Sequence, residues 1–101
     1  GGGEALALRS MAAEPAGRGA MVTYAVTMPA DVTVDIMNIA GRLIRSYPAR
    51  SVAGGAQQTL TWNGMSDRGS AVPAGRYLVR LTALAADGQT VQAIRPLSIA
   101  R

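Results

Sequence analysis

The sequence predicts an all-β fold, a sandwich or a barrel, on three observations. Apolar and polar residues alternate with a period of two over several stretches, Gly and Pro recur between those stretches, and no segment sustains the period of an amphipathic helix. At 101 residues the chain has the size of one domain, 1–101, with room for one core. Apolar residues make up 49% and charged residues 16%, which places the chain among folded globular proteins rather than disordered ones. With no Phe, one Trp and three Tyr, the core must be assembled mainly from Val, Leu, Ile, Met and Ala.

Seven strands are expected. The first runs from Glu4 to Ala13, with Leu6 and Leu8 on one face and Ala7 and Arg9 on the other; Glu14-Pro15-Ala16-Gly17-Arg18-Gly19 then breaks it. The second, Ala20 to Met28, alternates most cleanly, with Val22, Tyr24, Val26 and Met28 facing one way. Val32, Val34 and Ile36 form the inward set of the third, Val32 to Ile39, and the turn Asn38 to Gly41 leads to a short fourth strand, Arg42 to Tyr47, ended by Pro48. After a flexible Arg50 to Ala56 segment, Gln57 to Trp62 brings Leu60 and Trp62 into the core. The loop Asn63 to Ser70 and the turn Val72-Pro73-Ala74-Gly75 precede the sixth strand, Arg76 to Ala85, which faces Tyr77, Val79 and Leu81 inward and Arg76, Arg80 and Thr82 outward. Asp87-Gly88 makes a hairpin into the last strand, Gln89 to Ile99.

Composition also removes whole classes of chemistry. Without Cys or His the chain has no thiol nucleophile, imidazole base, disulfide or common zinc ligand, so the Ser residues lack their usual activating partners. An enzyme is not expected, and no cofactor. Asp31 and Asp35 are four residues apart, about 13 Å along a strand, too far for a glycosidase carboxylate pair; Asp35 is expected to pair across strands with Arg80. Asn63 and Asp67 suggest an oxygen-rich loop, but the carboxylates are too few for a calcium site and suit a turn better. All ten basic residues are Arg and the net charge is +4, yet they are spread from Arg9 to Arg101 without interleaved aromatics, so a solvated surface is expected rather than a nucleic-acid site. No apolar run has the length of a transmembrane helix, and Gly1-Gly2-Gly3-Glu4 lacks the character of a signal sequence.

Three ordered motifs carry a resemblance. Val32-Thr33-Val34-Asp35-Ile36-Met37-Asn38-Ile39-Ala40-Gly41-Arg42-Leu43-Ile44-Arg45 is followed by Thr59-Leu60-Thr61-Trp62-Asn63-Gly64, then by Asp67-Arg68-Gly69 and Val72-Pro73-Ala74-Gly75-Arg76-Tyr77. Over residues 20 to 101 the chain resembles the immunoglobulin-like domain named after flagellar hook-capping proteins, which also occurs as a C-terminal module of secreted bacterial proteins; it is similar as well to C-terminal sorting domains of surface-exported proteins. The resemblance implies an immunoglobulin-like, fibronectin-III-like sandwich of about seven antiparallel strands, an extracellular or cell-surface bacterial setting, and an accessory or assembly role without catalysis. In physical terms the motifs are structural: Trp62 anchors the core, Asn63 and Asp67 shape the loop, Gly41, Gly64, Gly69 and Gly75 take up backbone shapes that a Cβ would strain, and Tyr77 faces inward.

Assembly is the functional expectation. Met21, Met37, Ile39, Ile44, Leu78 and Ile94 fall on the face opposite the main inward set, where they would form a patch for another subunit. The first strand, residues 1–13, is expected to be separable and to pair with a neighbouring sandwich; burying Leu6, Leu8 and Met11 there would contribute about 4 to 9 kcal/mol before ordering costs, and the Pro and Gly break would serve as the hinge. Such head-to-tail donation builds a fibre or surface array. A glycine-rich start is ordinarily among the least ordered parts of a domain, so a contact that holds it down is expected to come from a partner. The alternatives are a monomeric accessory or sorting domain of a larger secreted protein, and a carbohydrate-binding module using exposed Tyr47 or Tyr77 as a stacking platform.

Overall fold

The computed structural model describes residues 5–100, and the expectation about Gly1-Gly2-Gly3 falls outside them. Among the described residues the elements are β1 (Leu8–Ala16), β2 (Gly19–Val26), β3 (Ala30–Asn38), β4 (Leu43–Val52), β5 (Gln58–Trp62), β6 (Gly75–Leu84) and β7 (Thr90–Ile99), with no helix. They form a three-stranded sheet, β1-β2-β5, and a four-stranded sheet, β4-β3-β6-β7. Every neighbouring pair is antiparallel, as an immunoglobulin-like sandwich requires.

The core lies between the sheets and follows from the alternation. Ala20, Val22, Tyr24 and Val26 of β2 face Val32, Val34 and Ile36 of β3 and Val79, Leu81 and Ala83 of β6, with Trp62, Leu97 and Ile99 completing it. Most of these side chains are β-branched or small, and they are buried, so the one central strand of the smaller sheet and the two of the larger suffice to close the core without Phe.

Three differences from expectation concern edge strands. The break at Glu14–Gly19 contracts to a two-residue turn, Gly17-Arg18, with Ala16 paired to Gly19 and Gly17 at φ +56°. Pro15 sits inside β1, opposite Ala20; an edge strand tolerates a residue with no N–H to donate. A register shift between Leu8 and Ser10 changes the parity of β1, so that Leu8, Met11 and Ala13 all pack on the core together with Leu6.

The same reasoning applies to β4. It does not stop at Pro48 but continues to Val52, because it is the edge of its sheet and the register slips between Val32 and Val34, opposite the proline. Arg50 and Ser51 are therefore strand rather than flexible loop, and Val52 is buried.

Candidate functional site

The family-like motifs come together at one end of the sandwich. Trp62 is buried, its Nε1–H donates to the Met65 carbonyl at 2.8 Å, and its ring meets Tyr77 edge-on with centroids 6.0 Å apart. Tyr77, only 5% exposed, donates its hydroxyl to the Pro73 carbonyl at 2.6 Å, tying the start of β6 to the turn before it. This is the arrangement of a tyrosine corner. Tyr77 is consequently unavailable as a sugar platform, contrary to that expectation.

The loop between β5 and β6 is built from the other motif residues. Asn63 Oδ1 accepts the Met65 N–H at 3.1 Å, Val72 N–H donates back to the Gly64 carbonyl at 2.9 Å, and Gly69 N–H donates to the Ser66 carbonyl at 2.9 Å. Gly41, Gly64, Gly69 and Gly75 all have positive φ; at Gly69, φ +81°, the tight turn needs it most directly. Asp67 fastens the loop to β4: its N–H donates to the Ile44 carbonyl at 3.0 Å, its carboxylate accepts the Ser46 N–H at 3.2 Å, and Arg45 Nη1 lies 3.6 Å from it. The oxygens of Asn63 and Asp67 thus serve backbone N–H groups of the protein itself. A close approach that the sequence did not reveal supports the same end: a Cβ on Gly19 would collide with the Trp62 carbonyl oxygen.

The outer face of the four-stranded sheet carries most of the expected contact residues. Cross-strand pairing aligns Leu43, Met37, Leu78 and Pro96 in one row, with Asp35, Arg80 and Ile94 in the next but one position along the strands. Ile39, 71% exposed, and Ile94 are open to solvent, as is Met21 on the other sheet. Leu78 is half-buried, and Ile44 packs against the core rather than projecting from it. Met37 departs furthest from expectation at 6% exposed, because it sits on a central strand between Leu43 and Leu78. Leu6, Leu8 and Met11 likewise pack against the core of their own chain. The expected contact residues therefore do not form one patch.

Beside that row lies a polar cluster. Asp35, 9% exposed, accepts from Arg80 Nη2 at 2.9 Å and from Ser46 Oγ at 2.7 Å. Alternation on β3 and β6 put Asp35 and Arg80 on one face; the contribution of Ser46 had no signal in the sequence. Asp31 instead accepts from Ser51 Oγ at 2.7 Å, so the two carboxylates belong to separate contacts.

The two long sides of the sandwich differ. On one, β1 lies against β7, and Leu6 N–H donates to Gln89 Oε1 at 2.9 Å. On the other, β4 and β5 stand apart, leaving an open groove of about 330 Å³ floored by Tyr24, Val32, Val34 and Leu60 and walled by Tyr47, Pro48, Ala49 and Arg50. The Arg45 guanidinium stacks 4.8 Å above the Tyr47 ring. Burial pushes the Tyr24 phenol above its ordinary pKa, and Arg50 opposes that in part.

Among known proteins, the family model of the FlgD Ig-like domain matches residues 9–92. No curated protein sequence matches. Among solved structures, dimeric latent PorU from Porphyromonas gingivalis superposes with a TM-score of 0.78 at 18% identity, over 99% of this chain and 10% of that one. FLGD from P. aeruginosa superposes with a TM-score of 0.64 at 20% identity, over 75% of this chain and 58% of that one. CopC from Methylosinus trichosporium OB3b gives 0.58 at 18% identity, over 93% and 90%. At such identities these likenesses are of fold, and the chain spans only part of the first two proteins. The family match covers most of the sequence, including the Trp62 and Tyr77 motifs, and the chain belongs to the FlgD Ig-like domain family.

Proposed function

We propose that this chain is a non-catalytic accessory module of an exported bacterial protein, acting outside the cytoplasm and at or beyond the cell surface. One observation carries the proposal: the residues that mark the family, Trp62, Asn63, Asp67 and Tyr77, are spent on holding a loop and a corner of the sandwich. The likeness to a small part of the PorU chain supports an accessory role, since it is what a module joined to a much larger protein would give.

Assembly into a fibre or array is the second reading. It is favoured by β1 being an edge strand with a single hydrogen-bonded neighbour and by the solvent-open Ile39, Leu43 and Ile94. In that case the partner is a second copy, reached by exchange of residues 1–13 or through the sheet face. The Gly17-Arg18 turn makes exchange demanding, because a two-residue hairpin must open before β1 can leave β2.

Light scattering over a concentration series separates the two. A monomer at the highest concentration supports the accessory module; growth into long polymers supports the fibre. If polymers form, deleting residues 1–13 decides their basis, since assembly that survives the deletion unchanged rules out strand donation.

A further inference from the structure

The groove between β4 and β5 has the form of a site for an additional strand. The inward-facing side of β4, including Tyr47, has no strand of the three-stranded sheet opposite it, because among the described residues that sheet ends at β5. A strand laid beside β5 would pair with its free edge and cover Tyr47, Leu60 and the buried Tyr24 and Val34 beneath them. The open edge supplies backbone partners, and the apolar floor takes alternate side chains, which is how sheet edges capture extended peptides.

Charge selects the occupant. Arg50 stands exposed on the groove wall, no carboxylate of the described residues pairs with it, and no acidic residue lines the groove. Arg45 extends the same positive wall across Tyr47, although Asp67 neutralises part of it. The chain's own first strand suits this groove poorly, because Leu6 to Ala13 bears Arg9 and no carboxylate, and the whole chain carries +4.

We infer that the β4–β5 groove binds an extended segment of another protein as a fourth strand beside β5, with apolar side chains and a carboxylate on the one face that looks across to the inner side of β4. The inference rests on the accessory-module reading in one respect only, that the partner is a different protein. The scattering experiment above tests that reading without reference to the groove, so the two fail separately.

The test is nuclear magnetic resonance titration of the full chain with two synthetic heptapeptides, Thr-Val-Thr-Glu-Thr-Val-Thr, which puts Val and Glu on the same face, and its counterpart with Lys in place of Glu. The expected result is saturable shifts confined to Tyr47–Arg50 and Gln58–Trp62 with the Glu peptide, and none with the Lys peptide. Arg50→Glu, at an exposed position that leaves the core intact, should weaken the Glu peptide at least about tenfold, as loss of an attraction and gain of a repulsion require. Leu60→Ser should weaken it too while the amide spectrum stays dispersed. Shifts centred elsewhere, equal response to both peptides, or unchanged affinity of the Arg50→Glu protein would overturn the inference.

Discussion

On the β1–β7 side the two sheets approach each other, and Leu6, Leu8 and Met11 pack onto the common core. On the β4–β5 side the edge strands stand apart, three strands against four, and a groove remains. Both sides are made of edge strands that carry proline, Pro15 in β1 and Pro96 in β7 on one side and Pro48 in β4 on the other. The difference arises from what each strand has across from it. β1 gains apolar cover through a register shift that turns both Leu8 and Met11 inward, whereas the inner face of β4 presents Arg45, Tyr47 and Arg50, which are long, polar-tipped and left at the rim. One side has spent its edge on stability, and the other keeps it available.

The largest effect belongs to the corner at one end of the sandwich, where Trp62 of β5 in one sheet meets Tyr77 of β6 in the other. Trp62→Ala should cost about 3 to 5 kcal/mol in urea unfolding, since it removes the largest buried side chain, its contact with Tyr77 and its bond to the Met65 carbonyl. A loss below 1 kcal/mol would mean that the Trp62–Tyr77 corner does not organise the sandwich.

Next comes removal of the closed side. Deleting residues 1–16 takes away β1, and with Leu6, Leu8 and Met11 only partly buried the expected loss is about 2 to 5 kcal/mol, roughly half of their value on full burial. A truncated chain as stable as the parent would make β1 a detachable appendage rather than part of the sheet.

On the open side, Leu60→Ala should cost only about 1 kcal/mol, less than the 2 to 5 typical of a buried leucine, because Leu60 is half-buried beside the groove. A cost as large as that of a core leucine would indicate that the groove is closed in solution.

The smallest effect is a pH dependence beneath the groove. Burial holds the Tyr24 phenol above its ordinary value of 10.0, so above about that pH the unfolded chain loses the proton before the folded one does. Stability should therefore be insensitive to Tyr24 below that point and fall as pH rises through it. Denaturant midpoints measured up the alkaline range, with Tyr24→Phe as the comparison, check the sign; a steeper fall in the Tyr24→Phe protein would contradict it.

Much of this molecule was legible in the sequence, and the parts that were not share a cause. Alternation identified the inward sets of β2, β3 and β6, because those strands are central or nearly so and one face of each must be apolar. It also placed Asp35 and Arg80 on one outer face, where they meet. Proline was misleading at positions 15 and 48, since a sequence does not say whether a strand lies at an edge, where a missing donor costs little. Met37 was misleading for the complementary reason: an outward residue on a central strand is covered by its neighbours, Leu43 and Leu78, even with no second layer above it. The groove had no sequence signal at all, because it depends on β4 pairing with β3 while β5 pairs with β2.

Amide hydrogen exchange on the monomeric protein tests the contrast between the two sides most directly. Alternate amides of Leu8–Ala16 are bonded to β2 and should be protected nearly as well as those of β2 itself, while the unpaired amides along β5 and along β4 beyond the Asp67 contact exchange at close to the rate of open chain. Uniformly rapid exchange across β1, or protection of the β4 and β5 edges, would contradict it.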